Sequence, residues 1–395
     1  MRFAVSVSRE LTPTAAGFAV GQAVRRELGG HPPDLAFLFF SSHYAERADK
    51  LAAAVRGSLA PRVLLGCTGE GVIGGTEEIE VAPAVALWGA CLPDAHLVAM
   101  RLSCLQSDES PVTGWPEELG SVTEPPVCVL LADPFSSPMD EVLMGLADRS
   151  PGSAAIGGLA GGGREAGEHR LVLDEKVYDG GLVGVAVSGP VTIRTVISQG
   201  CRPIGERFVV TRAEHNVIHE LGGAPALQRL KTLLEELDPE TRGLAQRALH
   251  LGIVMDEQRN RFERGDFLVR NLIGVDRSSG SLAIGDLIRE GQTVQFHVRD
   301  ARSASEDLHL LLAAERSRHR MPPLGALLFS CCGRGRGLFG HPHHDVAVLR
   351  ERAGAIPVAG FFAQGEIGPV GGRNFLHGYT ASVALFSEPA AAGFS

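Results

Sequence analysis

Residues 32–40 read PPDLAFLFF. Two prolines end whatever precedes them, and six apolar residues then follow without a polar break. A short run of this kind, lacking polar alternation, reads as a strand covered on both faces. The pattern recurs at 125–131 (PPVCVLL) and at 322–330 (PPLGALLFS). Each copy leads through a polar turn into a helical stretch, at 44–56, 139–149 and 345–352. A second apolar strand follows and carries glycine near its end: RVLLGC with Gly66, AAIGG with Gly157 and Gly158, PVAGFF with Gly360. A glycine-rich loop and a third strand complete each unit, the third strands being VAPAVALW (81–88), GGLVGVAV (180–187) and GYTASVALF (378–386). The chain therefore contains three similar units of strand, helix, strand, glycine loop and strand, expected to share one topology. The first extends back through FAVSVS and a helix at 14–28. The third is expected to extend back through QFHVRD (295–300) and a helix at 305–318. Strands alternating with helices define an α/β fold with mixed sheets.

Two domains are expected, 1–222 and 223–395, with the boundary at LGGAP (221–225) and a helix from 225 to 237 after it. Beyond DPETRG lie three further strands, FLVRNLIGVD, SLAIGD and QTVQFHVRD.

The 395 residues carry a net charge of -9 and a pI of about 5.9. No basic block is present, which argues against nucleic acid and against a polybasic membrane contact. The start, MRFAVSVSRELTP, is charged too early for a secretory signal, and no run of about 18 apolar residues occurs. The seven cysteines are Cys67, Cys91, Cys104, Cys128, Cys201, Cys331 and Cys332, with no CxxC spacing. Free thiols and a cytoplasmic location are the expectation.

The motifs LLGCTGEGVIGG, LADPF, GGLAGGG and SQGCRPIGERFVVTRAEHNVIHELGGAPAL, followed by FLVRNLIG, GQTVQFHVRDA, LFSCCGRGRGLFG, GFFAQGEIGPVGG and FLHGYTASVALF, resemble the FIST family along nearly the whole chain, as an N-type domain followed by a C-type domain. The resemblance implies a sensory module that binds a small polar ligand such as an amino acid, is more a binder than an enzyme, and signals through fused domains or partners. No length remains here for a fused kinase, cyclase or F-box, so output is expected to pass to a separate signalling protein.

In open α/β sheets the ligand crevice lies beyond the carboxyl ends of strands. The richest such end is CCGRGRGLFG. Gly333 and Gly335 would let backbone N–H groups approach a ligand, and Arg334 and Arg336 either grip a carboxylate or phosphate or face solvent. Gly335, Gly337 and Gly340 spell a dinucleotide fingerprint, but HPHHD intervenes before the helix, so no nucleotide cofactor is expected. Gly365-Glu366 and Gly69-Glu70 are read as matching pairs. Glu366 is expected to neutralise a ligand ammonium, near His377 and Tyr379, and Glu70 to cap a loop. Arg299-Asp300 and Arg270-Asn271 are secondary candidates. Cys331 or Cys332 beside His341, His343 or His344 would suit nucleophilic catalysis, the alternative to a binding protein; a third reading is a ligand-free interaction scaffold. The histidine spacing matches no zinc signature, and no metal is expected.

Overall fold

A computed structural model describes residues 1–104, 112–120, 124–259, 261–262, 265–319 and 321–389. Among them are eight α-helices and 26 strands in mixed sheets. The chain divides into two compact units, residues 1–197 with 309–395, and residues 198–308.

The first unit contains the three repeats. Each has a central strand (Leu35–Ser41, Val127–Ala132, Gly325–Cys331) and a crossover strand parallel to it (Val63–Gly69, Ala154–Leu159, Val358–Ala363). A closing strand (Val85–Cys91, Leu182–Ser188, Ala381–Ser387) lies antiparallel on the other side of the central strand. Outside it sits a leading strand, Arg2–Ser8, His96–Cys104 or Thr192–Ser198. The strand order is the same three times over, as the Pro-Pro units predict. Helices Ala48–Leu59, Met139–Arg149 and His344–Ala353 carry the three parallel crossovers.

The register identifies equivalent residues. Leu38 faces Gly66, Leu130 faces Gly157 and Leu328 faces Gly360. In each pair the glycine is obligatory, because a Cβ would fall 2.3, 1.9 or 1.7 Å from the leucine carbonyl oxygen.

The repeats are joined by exchange. The hairpin after each crossover strand leaves its own repeat. Hairpin Val72–Gly74/Glu77–Ile79 of repeat one pairs with the crossover strand of repeat three. The hairpin of repeat three, Glu366–Val370/Arg373–His377, pairs with repeat two, and that of repeat two, Leu171–Leu173/Lys176–Tyr178, with repeat one. The exchange closes a cycle of three.

Both faces of these sheets are covered, which is why the central strands are uniformly apolar. In repeat one, Ala36, Leu38 and Phe40 pack with Val20 and Val24 of helix Pro13–Glu27, with Leu28 just after it, and with Leu51 and Val55. The alternate residues turn inward. Phe39 and its equivalent Phe329 meet Phe361, with ring centres 5.2–6.2 Å apart. The positions equivalent to Phe361 are Cys67 and Gly158; a Cβ on Gly158 would come within 3.3 Å of the Phe361 ring. One large side chain and two small ones share the centre.

The second unit is a closed antiparallel barrel. Its strands run Cys201–Glu214, Thr293–Arg299, Leu249–Val254, Phe267–Asp276, Ser281–Ile284 and Val217–Leu221, and the last pairs back to the first. Leu227, Leu230 and Leu233 of helix Ala226–Glu236 pack in the same core as Phe208, Leu251 and Phe296. Residues 221–225 form a turn in which Leu221 pairs Ala224. One expectation is corrected here. QFHVRD does not lead into repeat three but is a barrel strand, and Thr192–Ser198 takes the leading place. The barrel is inserted after that strand, and helix Ala301–Arg318 precedes the third Pro-Pro pair. Local apolar pattern cannot separate a barrel strand from a sheet strand that both precede a helix.

Candidate functional site

The ends of the three crossover strands are tied head to tail. Glu70 N donates to Phe362 O at 3.0 Å, Gln364 N to Leu159 O at 3.2 Å and Gly161 N to Thr68 O at 3.0 Å. The return bonds run from Phe362 N to Gly71 O, Leu159 N to Gly365 O and Thr68 N to Arg170 O, at 2.8–3.0 Å. These bonds make Glu70, Gly161 and Gln364 equivalent, so residues 162–169 are an insertion peculiar to repeat two. Glu70 and Glu366 are therefore not matching positions. Glu366 lies two residues further on and corresponds to Val72, which occupies the same register against the crossover strand it borrows. Glu70 does cap a loop, as its carboxylate accepts from Gly162 N at 3.0 Å.

The central strands end at the equivalent residues Ser41, Asp133 and Cys331, and each repeat has built something different there. In repeat three, Cys331 N donates to Thr380 O and Cys332 N to Ala363 O, both at 2.9 Å. Cys331 is buried and Cys332 exposed. Glu366 has no exposed surface. Its Oε2 accepts from Thr380 N at 2.9 Å, while Oε1 has no nitrogen or oxygen partner among the described residues. Burial first, then the neighbouring Cys331, push this carboxyl well above the usual range. Cys331 hydrogen-bonds to Cys332 and thereby lowers the Cys332 thiol to about 7, while Cys331 itself is pushed up. Tyr379, in a left-handed conformation at φ 66°, closes the corner beside Gly333.

Repeat two has a carboxylate and an imidazole instead. Asp133 Oδ1 is 3.0 Å from His169 Nδ1, and both side chains are buried. Asp133 also accepts from Ser136 Oγ at 2.6 Å and Phe135 N at 3.2 Å; against its burial, the bonds from His169 and then Ser136 hold its pKa below the ordinary value. Phe135 stacks on the imidazole with ring centres 5.7 Å apart. Sequence reasoning missed His169. It lies inside the repeat-two insertion, and nothing local marks a residue 36 positions from its partner.

The arginine loop is organised by internal carboxylates. Arg334 is 1 % exposed. Its Nε and a terminal nitrogen bond to the two oxygens of Asp345 at 2.7 and 2.8 Å. It thus does not face solvent. Asp345 also accepts from Ser330 Oγ at 2.7 Å and meets His344 Nδ1 at 3.0 Å. Gly335, at φ 63°, leaves room for the Glu80 carboxylate, since a Cβ would lie 2.8 Å from its carboxyl carbon. Glu80 Oε1 accepts from Arg336 N at 2.9 Å, so a side chain of repeat one fills the anion position of the glycine motif. The Arg336 side chain is exposed. The histidines disperse: His344 stacks on Phe339 at 3.5 Å, His343 Nδ1 accepts from Glu78 N at 2.8 Å, and His341 is exposed. Among the described residues no group of three or more His, Cys, Asp or Glu is placed to hold a metal.

Glu78 is 3 % exposed, and its Oε1 accepts from Val346 N at 2.8 Å. Burial, then repulsion from Asp345, raise it to about 8. The folded protein therefore holds a proton that the unfolded chain, titrating near 4.3, has released. Stability should fall as pH rises between about 4.5 and 8 and level off above. Glu78→Gln should remove that slope and gain on the order of 4 kcal/mol on the parent between pH 5 and pH 8. Urea unfolding at both pH values measures this, and parallel losses in parent and variant would assign the slope to other groups.

The remaining candidates are placed as follows. His377 is buried in the hairpin opposite Glu366, with Nε2 3.0 Å from Gly368 O. Gly365 packs where a Cβ would lie 3.0 Å from Leu159. Arg299, Asp300, Arg270 and Asn271 belong to the second unit. Asp300 accepts from Ser303 N at 2.6 Å at the start of helix Ala301–Arg318. Arg270 pairs with Asp286 at 2.6 Å, and Asn271 bonds His250 at 3.1 Å. None of the six cysteines whose side chains are described is in a disulfide; Cys104 lies outside that set.

Three interlocked α/β repeats with polar residues at their strand ends, and a β-barrel inserted in sequence within the third repeat, define the fold. The chain belongs to the FIST family: residues 34–224 match the FIST N domain and residues 226–369 the FIST C domain. It is 42% identical over 391 residues to the "Uncharacterized protein Rv0628c" of Mycobacterium tuberculosis H37Rv, covering 98% of this chain and 100% of that one. It is also 42% identical over 394 residues to the "Uncharacterized protein Mb0898c" of Mycobacterium bovis, covering 98% and 99%. FIST domains are associated with signal transduction and small-ligand sensing. Among the described residues no helix is long and apolar enough to cross a membrane.

Proposed function

We propose that this protein is a cytoplasmic sensor that binds an amino acid or similar polar metabolite at the Glu366 corner of repeat three and passes the signal to a separate protein partner. The observation that supports this reading is the Glu366 carboxyl: wholly buried beside the Cys331 thiol, with no nitrogen or oxygen partner for Oε1 among the described residues. Burial disfavours the ionised form of this carboxyl, and an arriving cation favours it. A ligand ammonium would therefore displace its proton and pair with the carboxylate. Gly333, Gly365, Tyr379 and His377 frame the same corner, and Arg336 supplies an exposed guanidinium for the ligand's carboxylate. Arg334 acts indirectly, holding the loop through Asp345.

A thermal-shift screen of amino acids followed by calorimetry tests this. Binding should release a proton, visible as an apparent enthalpy that varies with the buffer. Glu366→Gln should weaken affinity roughly ten- to a hundredfold, the loss of one charged hydrogen bond. Unchanged affinity in Glu366→Gln and Arg336→Ala would place the ligand elsewhere. Turnover abolished by thiol alkylation would instead identify a cysteine enzyme, the reading that the exposed Cys332 thiol favours. No shift with any amino acid, together with recovery of a protein partner, would leave a scaffold.

A further inference from the structure

Cys332 has a chemistry that ligand binding does not require. It is exposed at the end of the repeat-three central strand, and the preceding residue is a buried cysteine hydrogen-bonded to it. The groups that act on it most are the Cys331 thiol and the carboxyls of Glu366 and Glu70. None of these is an imidazole able to cycle a proton for acyl transfer. Of the histidines that follow in sequence, His341 meets the Pro342 carbonyl, and His343 and His344 bond to Glu78 N and Asp345. An accessible thiol poised beside a second thiol is the arrangement of a cysteine that is oxidised and then resolved.

We infer that Cys332 is a modification site for hydroperoxides, with Cys331 as the resolving thiol. In the first step the Cys332 sulfur attacks the peroxide, the O–O bond breaks and an S–O bond forms. Sulfur is oxidised by two electrons to the sulfenic acid, and the departing oxygen takes a proton to leave as water or an alcohol. In the second step the Cys331 sulfur attacks Cys332, the S–O bond breaks, and the hydroxyl leaves as water with the Cys331 proton. The pair has then lost two electrons and two protons, and the peroxide has gained them.

The geometry makes this reversible. Neighbouring Cα atoms are about 3.8 Å apart, closer than the roughly 4.4–6.8 Å of an unstrained disulfide. A strained disulfide is readily reduced. The thiolate favoured by the Cys331 hydrogen bond speeds the first step. Both backbone bonds of the pair, to Thr380 O and Ala363 O, lie in the corner that holds Glu366, so oxidation alters the candidate site directly.

The test uses the reduced full-length protein and hydrogen peroxide, followed by alkylation and peptide mass spectrometry. Cys331 and Cys332 should lose alkylation together and regain it with a dithiol reductant. The loss should be at least about tenfold faster than at Cys91, a partly exposed thiol that burial holds above its ordinary pKa. In Cys331→Ser, Cys332 should accumulate a sulfenic acid that dimedone traps. The inference fails if Cys332 reacts no faster than Cys91. It also fails if Cys332 advances to sulfinic acid while Cys331 stays alkylatable, or if the product is a disulfide between two copies of the chain. All three outcomes are read on the parent protein, so they do not depend on a variant folding.

Discussion

Asp345→Ala is expected to destabilise the repeat unit by about 3–5 kcal/mol, the cost of leaving a buried cation without its partner. Arg334 is 1 % exposed, and Asp345 bonds both its Nε and a terminal nitrogen. The same substitution strands Ser330 Oγ and loosens His344, so two further bonds are lost. Urea unfolding followed by tryptophan fluorescence reads this unit, since Trp88 and Trp115, the chain's two tryptophans, both lie in it. Replacing the pair together, Arg334→Met with Asp345→Leu, should recover much of the loss, because apolar side chains of similar size need no counter-charge. A single variant within about 1 kcal/mol of the parent would mean that water reaches the pair.

Gly360→Ala should cost at least about 3 kcal/mol, beyond ordinary overpacking. The added methyl would sit 1.7 Å from the Leu328 carbonyl, and a backbone group cannot turn aside as a side chain does. The parallel strands would have to part along the ladder that carries repeat three. Gly157→Ala should cost at least as much, since its methyl falls 1.9 Å from Leu130 O and its φ of 148° also disfavours a side chain. Gly66→Ala, at 2.3 Å from Leu38 O, should cost less. Gly57, within helix Ala48–Leu59 and with nothing near its missing Cβ, is the control. Alanine there should stabilise by about 0.5–1 kcal/mol. Equal effects at Gly57 and Gly360 would refute the close-approach account.

The repeats were legible in the sequence because their signals are local. Two prolines, an unbroken apolar run and a glycine in the second strand lie within about 35 residues in each copy. Met139–Arg149 is the helix that pattern predicts, since proline precedes it and Ser150 follows. Partners distant in the chain were not legible. No spacing rule sends the hairpin at Glu77–Ile79 to a strand near residue 360, and so none reveals Glu78 and Glu80 beside the arginine loop. Glu70 and Glu366 looked alike because both follow glycine, whereas equivalence is set by register, and register depends on which strand is borrowed. The expectation that the Gly333–Gly337 loop and Gly365-Glu366 lie together rests on one crossover bringing the ends of its two strands to one edge; the neighbourhood of Cys331 and Glu366 was not read from the sequence. His169 enters through an insertion unique to one repeat, where comparison among the repeats has nothing to compare.

The cyclic hairpin exchange sets the order of events during biosynthesis. The hairpin of repeat one emerges from the ribosome early, yet the strand it must pair with follows roughly 280 residues later. At about 5–20 residues per second, that is a wait of about 15–60 s. The barrel is translated within that interval and can fold first, because its strands pair only with one another. Until Val358–Ala363 arrives, Val72–Gly74 presents an open edge of unpaired N–H and C=O groups, the kind of surface on which nascent chains associate. A ribosome-associated holdase that covers this edge during the wait is therefore expected to raise the soluble yield.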